Sequence, residues 1–138
     1  MYDYEKAVKC DLNQWLCDNE WKLSVYDFCE MGEEAFTKML TELTMYDDMV
    51  TGWETGYTFG SECAEYIKGN EELAKKAMAF GYGSESAFDE WMSEAETDDT
   101  AYVNIDTNIR GYLLPKAIAE VVAEIKEHFE KGEDNEND

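Results

Sequence analysis

The sequence predicts a mainly α-helical, compact domain of about five to seven helices, with one candidate short β-hairpin near residues 50–60. Three observations carry this. Apolar residues recur three and four apart over long stretches, the period of a helix with one buried stripe. Start and stop residues punctuate those stretches, among them Ser24, Gly32, Gly69, Asn70 and Gly81. The chain is 44% hydrophobic and 14% aromatic, which supplies a core for one domain of 138 residues.

The elements follow in order. Tyr4, Ala7, Val8, Leu12, Trp15 and Leu16 share a stripe, predicting a helix over about 3–18. Cys10 and Cys17 lie two turns apart on it and cannot bridge each other. Ser24 with Asp27 predicts a cap and a short helical turn through Val25, Tyr26 and Phe28. Phe36, Met39, Leu40 and Leu43 mark a helix over about 33–46, with Glu33 and Glu34 at its electropositive start. The stretch from Val50 to Glu62, VTGWETGYTFGSE, clusters β-branched and aromatic residues between glycines and is the hairpin candidate. Ser61 is a cap for a helix over 62–68, Asn70 for the next, and Ser84 or Ser86 for one carrying Phe88, Trp91 and Met92. Thr97, Asp98 and Asp99 form a break. Helical spacing returns at Tyr102, Ile105, Ile109, Tyr112 and Leu113, and again at Ile118, Val121, Val122, Ile125 and Phe129. Pro115 stands between them and predicts a kink or break, because an interior proline costs a helix about 3 kcal/mol. Residues 1–131 read as one acidic domain, and 132–138 as a disordered acidic tail.

Charge bounds the function. The chain has 33 Asp and Glu against 11 Lys and Arg, a net charge of −22. That balance disfavours binding to nucleic acid or an anionic membrane and favours a basic protein partner. The start of the chain lacks a signal-peptide pattern, so a cytoplasmic protein with reduced, mostly buried thiols is expected.

Signatures of catalysis are weak, and no cofactor, metal or catalytic residue is expected. The lone His128 reads as a surface residue near a helix C-terminus. The four cysteines lack C-x-x-C spacing, which disfavours zinc. The run Asp106 to Gly111, DTNIRG, imitates half of a calcium loop. Arg110 occupies a ligand position, and Ala117 stands where the bidentate Glu belongs. VTGWETGYTFGSE lacks the lysine of a phosphate loop, and Glu54 and Glu62 would repel phosphate.

The carboxylates are concentrated. Between Lys76 and Arg110 there is no basic residue, and the interval holds Glu85, Asp89, Glu90, Glu94, Glu96, Asp98, Asp99 and Asp106. Glu85, Asp89, Glu90, Glu94 and Glu96 have no basic partner three or four residues away. Helical carboxylates at i and i+4 stand roughly 6 Å apart, a scale similar to successive phosphates. Such a face can fill a groove built for a nucleic-acid backbone. A second acidic run spans residues 18–54. A third comprises Glu120, Glu124 and Glu127, near Lys116, Lys126 and Lys131, and reads as an ordinary solvated face.

Four segments together carry a resemblance: VTGWETGYTF at 50–59, Ala64-Glu65, ELAKKAMAFG at 72–81 and IRGYLLPKAIAEVVAEI at 109–125. The chain resembles a family of small acidic proteins from phages and conjugative elements of gut bacteria. It departs from that pattern before Tyr57, where the family has Ser, and after Phe59, where Gly60 replaces Asn. The resemblance implies an anti-defence role, either an anti-CRISPR inhibitor of a Cas9-type effector or an antirestriction DNA mimic. The expectation is a non-enzymatic inhibitor that binds a basic nuclease surface through Asp89, Glu90, Glu94, Glu96, Asp98 and Asp99. Trp53 and Tyr57 are added as aromatic anchors. Alternatives are an accessory module of a mobile element binding another basic protein, a small enzyme built on a carboxylate pair, or an oligomeric structural protein.

Overall fold

The computed structural model describes residues 3–45, 47–51, 60–82, 86–95 and 100–136. Among these the fold is mainly α, with eight helices and no strand: α1 (Tyr4–Asp18), α2 (Asp27–Met31), α3 (Glu33–Thr44), α4 (Asp48–Thr51), α5 (Gly60–Gly69), α6 (Glu71–Tyr82), α7 (Ser86–Ala95) and α8 (Thr100–Glu136). Of the hairpin candidate, Val50 and Thr51 end α4 and Gly60 to Glu62 begin α5; residues 52–59 fall outside the described residues, as does the Thr97–Asp99 break between α7 and α8.

Local chemistry sets the helix ends. The Lys6 amide donates to the Asp3 carboxylate at 3.1 Å, capping α1. Its buried stripe is Tyr4, Val8, Leu12, Trp15 and Leu16, as the spacing predicts. Ser24 organises the entry to α2: its amide donates to Asp27 Oδ2 and its hydroxyl accepts from the Tyr26 amide. Gly32 joins α2 to α3 at φ +87°, a left-handed backbone that other residues adopt only with strain. One Asp47 carboxylate has two jobs. It accepts the Met49 amide at the start of α4, and it accepts the Trp15 indole N–H at 3.2 Å. Ser61 lies within the first turn of α5 and is not its cap, because the helix already includes Gly60.

Helix α8 organises the molecule and packs against α1, α3, α4, α5, α6 and α7. Two cores form along it. Its earlier part, through Ile105, Ile109 and Leu113, joins Tyr4 to Cys63, Tyr66 and Ile67 of α5 and to Ala74 and Ala77 of α6. Its later part, from Leu114 to Ile125, joins the rest of α1 to Leu23, Phe36, Leu40 and Val50.

The break expected at Pro115 is absent: α8 runs through it. Pro115 is exposed, so water can serve the Gly111 carbonyl that lost its amide partner. Leu113, Leu114, Ala117 and Ile118 are buried on both sides of it. Each large aliphatic side chain buried there is worth about 1.5–3 kcal/mol, and together they exceed the proline's cost. The helix also continues to Glu136, through the start of the stretch that the sequence marks as a tail.

Candidate partner-binding surface

The acidic face predicted from the sequence begins on α7. This helix packs against α6 and α8, with Met92 against the core shared by α5, α6 and α8. Asp89, Glu90 and Glu94 are exposed. Glu90 and Glu94 are one turn apart and share a stripe, with Asp89 on the neighbouring one. Glu96, Asp98, Asp99, Trp53 and Tyr57 lie outside the described residues.

Two members of the acidic interval differ from the sequence reading. Asp89 has no basic neighbour along its own helix, but it lies close enough to Lys75 of α6 to help hold that ammonium protonated. Glu71, 3.1 Å from Lys75, has the larger effect. Asp106 is not on the surface at all. It is fully buried, and Arg110, 1% exposed, holds it through Nε at 3.3 Å from each carboxylate oxygen. Arg110 then reaches Asp11 on α1, with Nη1 3.1 Å from Oδ2, and its guanidinium sits 5.6 Å from the centre of the Tyr4 ring. The near-calcium motif is therefore an internal ion-pair centre. Burial raises the Asp11 pKa above the usual carboxylate value, against the opposing pull of Arg110.

Cys63 borders this centre. Burial pushes its thiol up to about 11, while the nearby Tyr4 hydroxyl pulls the other way. At neutral pH it is a protonated, inert thiol. The expectation of mostly buried thiols is overturned: Cys10, Cys17 and Cys29 are exposed and only Cys63 is buried. Cys10 and Cys17 lie off the apolar stripe of α1, so nothing draws them inward. Among the described residues no three His, Cys, Asp or Glu side chains converge in a metal-binding arrangement.

The third acidic run behaves as a solvated face, although most of its partners come from other helices. Lys9 of α1 pairs with Glu124 and Glu120, Lys116 with Glu5, and Lys126 with Glu33; Glu127 and Lys131 pair within α8. His128 is exposed but does not sit at a helix end, because α8 continues to Glu136. It lines a groove of about 220 Å3 with Asn13, Val25, Val121, Ile125 and Phe129.

The second acidic run holds a feature that the sequence reading missed. Trp21 is 78% exposed and Tyr26 70% exposed, and Met31 is also open to solvent. In the same stretch of chain Asp18, Glu20, Glu30, Glu33 and Glu34 are exposed. The signal was present in the sequence: Trp21 falls outside the first helix's stripe, between Glu20 and Lys22.

Among the described residues no helix is long and apolar enough to cross a membrane. No family model matches the chain, and neither a curated protein nor a solved structure matches it.

Proposed function

We propose that this protein is a non-enzymatic inhibitor of a bacterial defence nuclease, acting on a Cas9-type effector as an anti-CRISPR protein. It occupies a positively charged surface that otherwise holds nucleic acid. The observation that carries the reading is the outward face of α7, where Asp89, Glu90 and Glu94 stand exposed on a chain of net charge −22. Glu96, Asp98 and Asp99 follow directly in the sequence and extend the same acidic run. The attraction is electrostatic, so it steers association and weakens with salt. An antirestriction DNA mimic would use the same face on a different nuclease.

The test is a Cas9-type cleavage assay with the wild-type chain and the triple variant Asp89→Lys, Glu90→Lys, Glu94→Lys. Inhibition by the wild type, lost in the triple variant and weakened by added salt, is the expected result. Equal inhibition by both chains would remove α7 from the mechanism.

The exposed Trp21 and Tyr26 favour a second reading, an accessory module of a mobile element that binds another basic protein. A salt-sensitive complex with a purified basic replication protein, and no effect on nucleases, would decide for it.

A further inference from the structure

The three large hydrophobic side chains exposed among the described residues, Trp21, Tyr26 and Met31, all fall within one short segment. Helix α2, at the end of that segment, has no fully buried residue. Packing leaves these side chains in water, although the chain buries comparable ones elsewhere. Exposed Trp and Tyr are the residue types that anchor protein interfaces, since each offers a large rigid area at low entropic cost.

The segment adjoins a groove. Tyr26 meets the Phe129 ring edge-on at 6.0 Å, and Phe129 lines the groove with Val25, Val121 and Ile125. At about 220 Å3 it has room for an apolar side chain. Trp21 already accepts a cation on its ring, with Lys22 Nζ 4.8 Å from the centroid.

Charge selects the occupant. Residues 18–34 carry Asp18, Glu20, Asp27, Glu30, Glu33 and Glu34 against the single Lys22. A second copy of this chain would bring another −22 to the contact, and a nucleic acid would bring phosphates. Both are repelled. We infer that the 21–31 segment and the adjoining α1–α8 groove form a docking surface for a basic protein segment, which seats an apolar side chain in the groove and places Lys or Arg against Trp21 and the surrounding carboxylates. The surface uses different helices from the α7 face and does not rest on the nuclease-inhibitor reading.

A helical Leu/Lys peptide is the probe, with a Lys-only peptide of equal charge as control, titrated calorimetrically into the full chain. The Leu/Lys peptide is expected to bind more tightly than the control. The double variant Trp21→Ala, Tyr26→Ala is expected to weaken it about tenfold, with unchanged helicity because both side chains are exposed. The α7 triple variant, which tests the other reading, is expected to keep most of the Leu/Lys preference. Equal binding by the double variant and the wild type would overturn the proposal. So would equal affinity for the two peptides, because charge alone would then explain binding. Sedimentation showing a wild-type dimer dispersed by the double variant would assign the surface to self-association. Competition by a single-stranded oligonucleotide would assign it to nucleic acid. Either result would also overturn the proposal.

Discussion

The two halves of α8 solve different problems with one continuous helix. From Ile105 to Arg110 six consecutive residues are buried, so this stretch is enclosed on every side. Beyond Pro115 burial alternates: Ala117, Ile118, Val121, Val122 and Ile125 face inward, and Lys116, Glu120, Glu124 and Glu127 face water. The later half is an amphipathic helix and needs only aliphatic packing. The enclosed half carries Asp106, Thr107, Asn108 and Arg110, and has to satisfy them internally. Enclosure therefore converts positions that would be solvated on the later half into a polar centre tied to α1.

The sharpest way to break this contrast is Arg110→Ala. It leaves Asp106 buried without its guanidinium, and a loss of about 3–5 kcal/mol is expected in urea unfolding. A loss below about 1 kcal/mol would mean that the ion pair is dispensable. The next effect is tied to pH. The folded state holds the Cys63 thiol protonated up to about pH 11, against 9.0 for the free group. Below pH 9 both states keep the proton and stability is indifferent to it. Between pH 9 and 11 the unfolded chain loses the proton first, and stability is expected to fall by about 2–3 kcal/mol. Cys63→Ala should flatten that slope. In the wild-type chain a thiol reagent should label Cys10, Cys17 and Cys29 quickly and Cys63 only on unfolding.

The later half is expected to respond more mildly. Ile118→Val removes one buried methylene and should cost about 0.5–1.5 kcal/mol, with no change in pH dependence. Asp11→Asn trims the outer, partly exposed end of the polar centre and should change stability by under about 1 kcal/mol at neutral pH. Because burial raises the pKa of Asp11, its own contribution favours the fold as pH falls toward that pKa; Asn removes this trend, which thermal unfolding between pH 4 and 7 would detect. The α7 triple reversal should change stability least per substitution, each within about 0.5 kcal/mol. A large loss there would show those carboxylates to be structural, against their proposed role in binding.

Much of the fold was legible because helical period and capping are local. The α1 stripe, the Gly32 junction and the α3 stripe all stand where the spacing puts them. Pro115 misled because its cost is local, whereas the packing that outweighs it comes from other helices. Asp106 misled for the same reason. The acids that precede it in the sequence suggest a surface run, and only the closure of α1, α5 and α6 around it makes it an internal group. Of the partner-binding residues named from sequence, Asp89, Glu90 and Glu94 stand exposed, which the lack of apolar spacing at those positions anticipates.

By itself the sequence determined the helical class, most of the helix ends and the excess of negative charge. Those depend on residue type and on contacts within a turn or two. Tertiary structure decided which charges reach solvent, which cysteine is sheltered, and that Trp21 and Tyr26 stay in water. Burial depends on which helices meet, and a periodic pattern records that a face is apolar without recording what covers it.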